Sequence, residues 1–376
     1  MNAITTASSQ LFTRSDDEVF SGWGDLITHL RNEKARTVEI PLNRLSAVAH
    51  RDGLHAEFVG TSPGADQSSE GYQTEMSDWS FATMTKFTGV RGAYGTLNSL
   101  SPQTSADALN ELLEKNSSRY RERVALVHLP PDGNPVTRAF YSPIYQRVSD
   151  LEVFTHFHSL SEQFGYEPAG EFAGKRGGLS PVRPEASGLY RGDRSSFGFI
   201  ANERGKIDID NSSLYHAVMW GNSEVGSQTL WFLDVLYNFI CGNHMVWNPM
   251  RLRTVKHKHT EGVRTVLQQA TRMFEDVDRE RGERKIKTEE MFSKASTTQF
   301  ADTRELIEKK LQTHKLKKKD AILAGSYLEH PSAYPKNPTS VWGVAQAITL
   351  ASQEKGLMDE KRAMDRVAGN LLSQLA

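Results

Sequence analysis

Three runs of alternating apolar and polar residues crowd between Ser196 and Trp220, and they constrain the fold more than any other feature of the chain. SerPheGlyPheIleAlaAsn (196–202) and LysIleAspIleAsp (206–210) flank the turn signal GluArgGly (203–205), and LeuTyrHisAlaValMetTrp (214–220) follows. A period of two places successive side chains on opposite faces of a sheet, so the centre of the chain is expected to be β-rich. Two hairpin signals reinforce this. ThrValGluIlePro (37–41) and HisAlaGluPheVal (55–59) lie on either side of ArgAspGly (51–53), and ValAlaLeuValHisLeu (124–129) returns as ValThrArgAlaPheTyr (136–141) through ProProAspGlyAsnPro. The almost unbroken apolar run 230–240, interrupted only by Asp234 and Asn238, reads as a buried helix.

Helical spacing appears around 23–30 and from 76 to 113, where Ser77 and Ser101 stand as N-caps and Gly89 breaks the pattern. Val263, Val266, Leu267, Ala270, Met273, Phe274 and Val277 share one helical face, and Met364, Val367, Leu371 and Leu375 share another. The expected class is α+β: a mixed or antiparallel sheet body with packed helices over 1–262, and a mostly helical C-terminal part over 263–376. Within the body, 60–76 reads as a mobile loop and the glycine- and proline-rich stretch 165–192 as a long loop or linker. No internal repeat is present.

At 376 residues the chain is long enough for about two domains. Its single cysteine, Cys241, cannot close an internal disulfide, which suits a reducing compartment. No basic start leads into an apolar stretch, and no run reaches the roughly 18 apolar residues of a membrane span, so a cytoplasmic protein without a membrane partner is expected.

Catalytic signatures are thin. The nearest approach to a phosphate-cradling loop, GlyGluPheAlaGlyLysArg (170–176), has the wrong glycine spacing and Arg176 in place of the magnesium-binding hydroxyl. GlyAsnSerGluValGly (221–226) is one residue too long for a nucleophile elbow, so Asn222, Ser223 and Glu224 read as caps of the apolar segment that follows. Cys241, His244, His257 and His259 form a C-x2-H and H-x-H arrangement that could surround zinc, although a buried cysteine and a cationic loop explain it as well. Asp208 and Asp210 share a strand face and read either as a divalent-ion pair or as a solvated edge. No catalytic residue, metal or cofactor is expected.

Charge gives the positive hint. Residues 251–320 hold 19 Lys or Arg against 12 Asp or Glu, so a net charge of −1 conceals a positive window of +7 and a remainder of −8. Arg251, Arg253, Lys256 and Lys258 would place cations on both faces of an exposed hairpin arm able to track phosphates. Lys315, Lys317, Lys318 and Lys319 would form a second contact, and Trp247 is the stacking candidate. Solvated helix faces are the bland alternative, and Glu275, Asp276, Asp278, Glu280 and Glu283 stand ready to neutralise the cluster at 281–287.

Several segments together carry a resemblance. AsnSerGluValGlySerGlnThrLeu (222–230), CysGlyAsnHisMetVal (241–246), HisThr (259–260), ThrArgAlaPheTyrSerProIleTyrGlnArgValSerAspLeuGluVal (137–153) and the module at 77–90 with 99–102 resemble the phage- and plasmid-borne family called domain of unknown function 932. The likeness spans about 75–265, with Asn222, Ser223, Glu224, Gly226, Cys241 and Asn243 as its structural motif. Two departures stand out: His244 occupies a place usual for a small residue, and Glu261 separates HisThr from Gly262. The resemblance implies a mobile-element origin and a bacterial cytoplasm, but no reaction. The leading expectation is a non-enzymatic, sequence-independent DNA-binding accessory protein, working as a homo-oligomer in ATP-independent single-strand annealing. The alternative is a protein-interaction or assembly component, such as a host-defence antagonist or structural oligomer.

Overall fold

A computed structural model describes residues 19–51, 53–60, 71–121, 123–168, 188–209, 212–238, 245–247, 254–299, 316–329, 339–353, 364 and 367–372. The described chain opens on β1 (Val19–Phe20) and α1 (Trp23–Ala35), then winds a closed barrel from β2 (Thr37–His50), β3 (Gly53–Gly60), β4 (Gly71–Met76), β5 (Val124–His128) and β6 (Val136–Tyr141). Around the barrel the order is β2-β3-β4-β6-β5. All neighbours are antiparallel except β4 and β6, which run parallel.

The length of β2 makes this closure possible. Its first half, Thr37 to Pro41, pairs with β5, and its second half pairs with β3 as far as His50 opposite Gly53. The expected partnership of 37–41 with 55–59 is thus corrected: His55 and Ala56 face Val48 and Ala47. Residues 71–76, expected in a loop, form β4; 61–70 lie outside the described residues. The expected 124–129 and 136–141 hairpin is present as β5 and β6.

Between β4 and β5 run α2 (Asp78–Thr85), α3 (Ala93–Asn98) and α4 (Pro102–Lys115). Ser77 and Ser101 cap α2 and α4 by accepting from Ser80 N and Thr104 N. Phe81, Met84, Leu97, Leu109 and Leu113 pack with Ile40, Leu45, Phe58, Val127 and Phe140, so these helices cover the barrel's own core. Asn110 fixes α4 to β2: its Oδ1 accepts from Ala47 N at 2.7 Å and its Nδ2 donates to Ala47 O at 2.8 Å.

α5 (Asp150–Phe164) leads out of the barrel to an antiparallel sheet built from β1, β7 (Glu167–Pro168), β8 (Leu189–Arg191), β9 (Ser196–Ile209), β10 (Ser212–Asn222), β11 (Leu230–Asn238), β12 (Met245–Trp247) and β13 (Thr254–His257). Short strands β7 and β8 therefore occupy both ends of the expected 165–192 loop, of which 169–187 lie outside the described residues. GluArgGly (203–205) does not reverse the chain. β9 runs through it, and residues 203–206 bulge opposite the single Tyr215 of β10; the pairing of the two strands begins at Ile209 with Ser212.

The run expected as a buried helix is strand β11. Both faces of this strand are covered, which removes the polar alternation that marks a half-exposed strand. Leu230 and Phe232 enter the core shared with α1, α5 and α6 (Thr265–Arg279), whereas Trp231 and Val235 pack with Tyr190, Phe197, Tyr215 and Met219 on the other face. The first of these cores runs from Leu26 through Phe157 and Trp220 to Phe274 and Val277, and so continues across residue 262 without a break. α7 (Arg281–Thr297), α8 (Lys318–Glu329) and α9 (Val341–Gln353) form a further core with Ile207, Leu214 and Leu236 of the sheet. The architecture is α+β, with an antiparallel sheet, packed helices and a mostly helical C-terminal part.

Candidate functional site

Where barrel meets sheet, a charge cluster is buried. Arg138 projects from β6, Arg147 from the segment after it, Asp150 from the first turn of α5, Arg191 from β8, Glu224 from the turn after β10, and Glu33 from the last turn of α1. Arg138 Nη1 lies 3.1 Å from Glu33 Oε1 and 3.2 Å from Glu224 Oε2. Arg191 Nη2 lies 2.6 Å from Glu33 Oε1 and its Nε 2.9 Å from Asp150 Oδ2. Arg147 reaches Glu39 at 2.7 Å and Glu224 at 3.5 Å. Three guanidinium groups thus answer three buried or half-buried carboxylates, with Glu39 at the rim. Ion pairs removed from water persist only when their remaining polar atoms are also met, and neighbouring side chains do this. Ser196 Oγ and Asn222 Nδ2 donate to Asp150 Oδ1 at 2.5 and 2.7 Å, and Asp150 N donates to Glu224 Oε1 at 2.6 Å.

This last bond corrects the expected role of the 222–226 turn. A strand, not a helix, follows it, and Glu224 caps α5, 74 residues earlier in the chain, beside the N-cap Ser149. Ser223 Oγ donates to Arg194 O at 2.6 Å and accepts from Ser227 N at 2.9 Å. Tyr145 donates to Ser223 O at 2.7 Å, its ring passing beneath Gly226, whose φ of 75° favours glycine. Trp79 Nε1 donates to Val225 O at 2.8 Å, so the turn is held from the barrel's helices as well.

Asp150 and Glu224 titrate in opposite senses. Burial, followed by the charge of Glu224, pushes the Asp150 carboxyl up to about 6. Burial also acts to raise Glu224, but Arg138, Arg191 and Arg147 outweigh it and hold the carboxyl below its ordinary value. An acid raised in the folded state binds its proton more tightly there than in the unfolded chain, whose value is about 3.9. Its contribution therefore weakens as pH rises through this window. Wild type is expected to lose stability relative to Asp150→Asn between about pH 4 and about pH 6 and to level off above it. Paired urea titrations check this; a difference that is flat or grows with pH contradicts it.

Of the residues expected to touch nucleic acid, Trp247 and Lys256 fall on strands and Lys318 and Lys319 on a helix. Lys256 lies exposed on β13, paired opposite Trp231 of β11, and exposed Lys258 follows the strand. The segment at 254–257 is thus part of the sheet, not a free hairpin arm, and it turns Val255 toward the core. Trp247 closes β12 opposite Leu236. Lys318 and Lys319 begin α8 in exposed positions, after exposed Lys317 and buried Leu316. Arg251, Arg253, Lys315, Cys241, Asn243, His244 and Asp210 lie outside the described residues.

His259 is buried, stacked on Tyr145 at 4.9 Å with Nδ1 3.2 Å from Gln146 O, and burial holds its pKa down to about 4. Asp208 pairs with Lys206 and accepts from Ser213 at the sheet's solvated side. On α7 the cations are answered locally: Arg281 pairs with Asp278, Lys285 with Glu289 and Lys287 with Glu283. Among the described residues, no group of three His, Cys, Asp or Glu side chains is placed to hold a metal ion. No described helix is long and apolar enough to cross a membrane.

Sequence reasoning reached part of the charge cluster. Arg138, Arg147 and Asp150 fall within the 137–153 segment quoted for the resemblance, and Glu224 within 222–230. Glu33 and Arg191 escaped it, because one sits in an ordinary helix and the other at the edge of a glycine-rich stretch.

Barrel, sheet and C-terminal helices, with a buried charge cluster where barrel meets sheet, define an α+β protein. The chain belongs to the family described as Domain of unknown function (DUF932), whose model matches residues 140–368. The match takes in Arg147, Asp150, Arg191 and Glu224 of the charge cluster and extends through the C-terminal helices, while Glu33, Arg138 and the similar-looking module at 77–90 precede it. No curated protein and no solved structure matches the chain.

Proposed function

We propose that the protein binds single-stranded nucleic acid through its sugar–phosphate backbone, without sequence preference and without catalysing a reaction on it. The observation that carries this reading is the barrel's topology. Closure in the order β2-β3-β4-β6-β5, a parallel β4–β6 pair and helices inserted between the third and fourth strands form the Greek-key barrel of the oligonucleotide- and oligosaccharide-binding type. Exposed Lys256, Lys258, Lys318 and Lys319 add phosphate-seeking charge elsewhere on the surface. A non-enzymatic role accords with the charge cluster, whose carboxylates are buried and occupied by arginines. Strand annealing by an oligomer, in a phage or plasmid setting, is the biological form this activity takes in our proposal.

Purified protein should shift a fluorescent 30-nucleotide single strand at low salt. Affinity should fall as salt rises, with a log–log slope of about −0.7 for each phosphate neutralised. Failure to shift either single- or double-stranded DNA at low salt would sink the reading.

A further inference from the structure

Barrels of this topology commonly bind on the face of their second and third strands. Here that face is β3 with β4, where exposed Glu57 stands opposite exposed Gln73 and half-buried Glu75 opposite buried His55. Ser46 donates to Glu57 at 3.2 Å and Asn134 to Glu75 at 2.8 Å. Two carboxylates on this face repel a phosphate backbone.

The helical cover of the same barrel has the opposite character. Trp79, half-buried at the start of α2, carries Lys86 Nζ at 5.1 Å and the Arg194 guanidinium at 5.4 Å from its ring centroid. Next to Lys86, Phe87 lies under the Arg123 guanidinium at 5.8 Å. Arg123 Nε donates to Arg119 O at 3.0 Å, and the Arg119 guanidinium lies across Gly89, 3.1 Å from where a Cβ would stand. Lys86 and Arg119 are exposed and Arg123 is half-exposed. Segments 86–91 and 117–123 hold five cations, and their one carboxylate, Glu122, lies outside the described residues. Asp78 is engaged by Arg194 and Tyr94.

How these cations are held matters. A carboxylate fixes a cation and cancels its charge, as on α7; an aromatic ring fixes it and leaves the charge for an incoming anion. Guanidinium groups also present a planar fork matched to phosphate.

We propose that Lys86 and Arg123, seated on Trp79 and Phe87, and Arg119, lying across Gly89, form the surface on the barrel's helical cover that takes up the nucleic-acid backbone. This assignment rests on the nucleic-acid reading above and moves the contact away from the acidic strand face. The test is fluorescence anisotropy of full-length protein with labelled oligothymidylate, comparing wild type, the triple variant K86E/R119E/R123E and the double variant K256E/K258E. The triple variant should bind more than about tenfold more weakly, with its salt slope reduced in magnitude by about 2, as loss of three phosphate contacts requires. The double variant should change affinity less. Should the charge reversals prevent folding, judged by thermal melting, K86Q/R119Q/R123Q replaces them with the same expected direction.

Wild-type binding that the triple variant leaves intact overturns the assigned surface while sparing the nucleic-acid reading; absence of wild-type binding removes both. Displacement of the oligonucleotide by poly-glutamate at equal charge concentration would also overturn the assignment, since it would identify an acidic protein as an equal ligand.

Discussion

Replacing Arg191 by alanine is expected to cost about 3–5 kcal/mol, the range for breaking a buried ion pair on one side. Arg191 is nearly inaccessible and is shared between Glu33 at 2.6 Å and Asp150 at 2.9 Å. Its burial would lower its affinity for the proton, but Glu33, Asp150 and Glu224 reverse this and hold the guanidinium firmly charged. Without it, Asp150 is left fully desolvated beside Glu224, facing the repulsion that already raises its pKa. Lysine will not restore the site, because a point ammonium cannot span both carboxylates as the guanidinium fork does. In an Asp150→Asn background the same alanine substitution should cost clearly less, since the stranded charge is gone. Urea denaturation of the four proteins in this cycle measures both claims. A loss below about 1 kcal/mol, the scale of an exposed pair, would mean that water reaches the cluster.

How much of this junction could be read beforehand depended on whether a residue's partner was local. Ser77 and Ser101 were legible as caps because the amides that donate to them lie three residues away. β5 and β6 were legible because a dense turn joins them. Arg191 was not, since its partners stand at positions 33 and 150, and neither charge announces a pairing across such distances. Glu224 shows the intermediate case: its capping chemistry was recognised, but the helix it caps precedes it by 74 residues. The long apolar strand β11 was misread because burial on both faces erases the period that separates strand from helix. The bulge at 203–206 was misread because a turn signal also suits an extra loop of residues within a strand. Lys86 and Arg123 were not legible as candidates, because charge density alone cannot distinguish cations answered by carboxylates, as on α7, from those resting on aromatic rings.

The largest packing effect is expected at Trp220, whose replacement by alanine should cost about 3–5 kcal/mol. Its fully buried indole is stacked between Phe157, at 4.1 Å and 5°, and Trp23, at 6.0 Å and 4°. It lies directly across Gly198, its cross-strand partner on β9, so closely that a Cβ there would stand 1.8 Å from Cζ2. Gly198→Ala must therefore displace the ring or open β9 from β10, at a cost of about 1–3 kcal/mol or more. The decisive measurement is the double variant. If Gly198 is required only because the indole covers it, Gly198→Ala should cost far less once Trp220 is alanine, because the added methyl enters vacated space. A coupling of about 2 kcal/mol between the two sites would fix the register of β9 against β10 in solution. Simple additivity would place Trp220 elsewhere, and with it the aromatic stack that joins α1, α5 and the sheet.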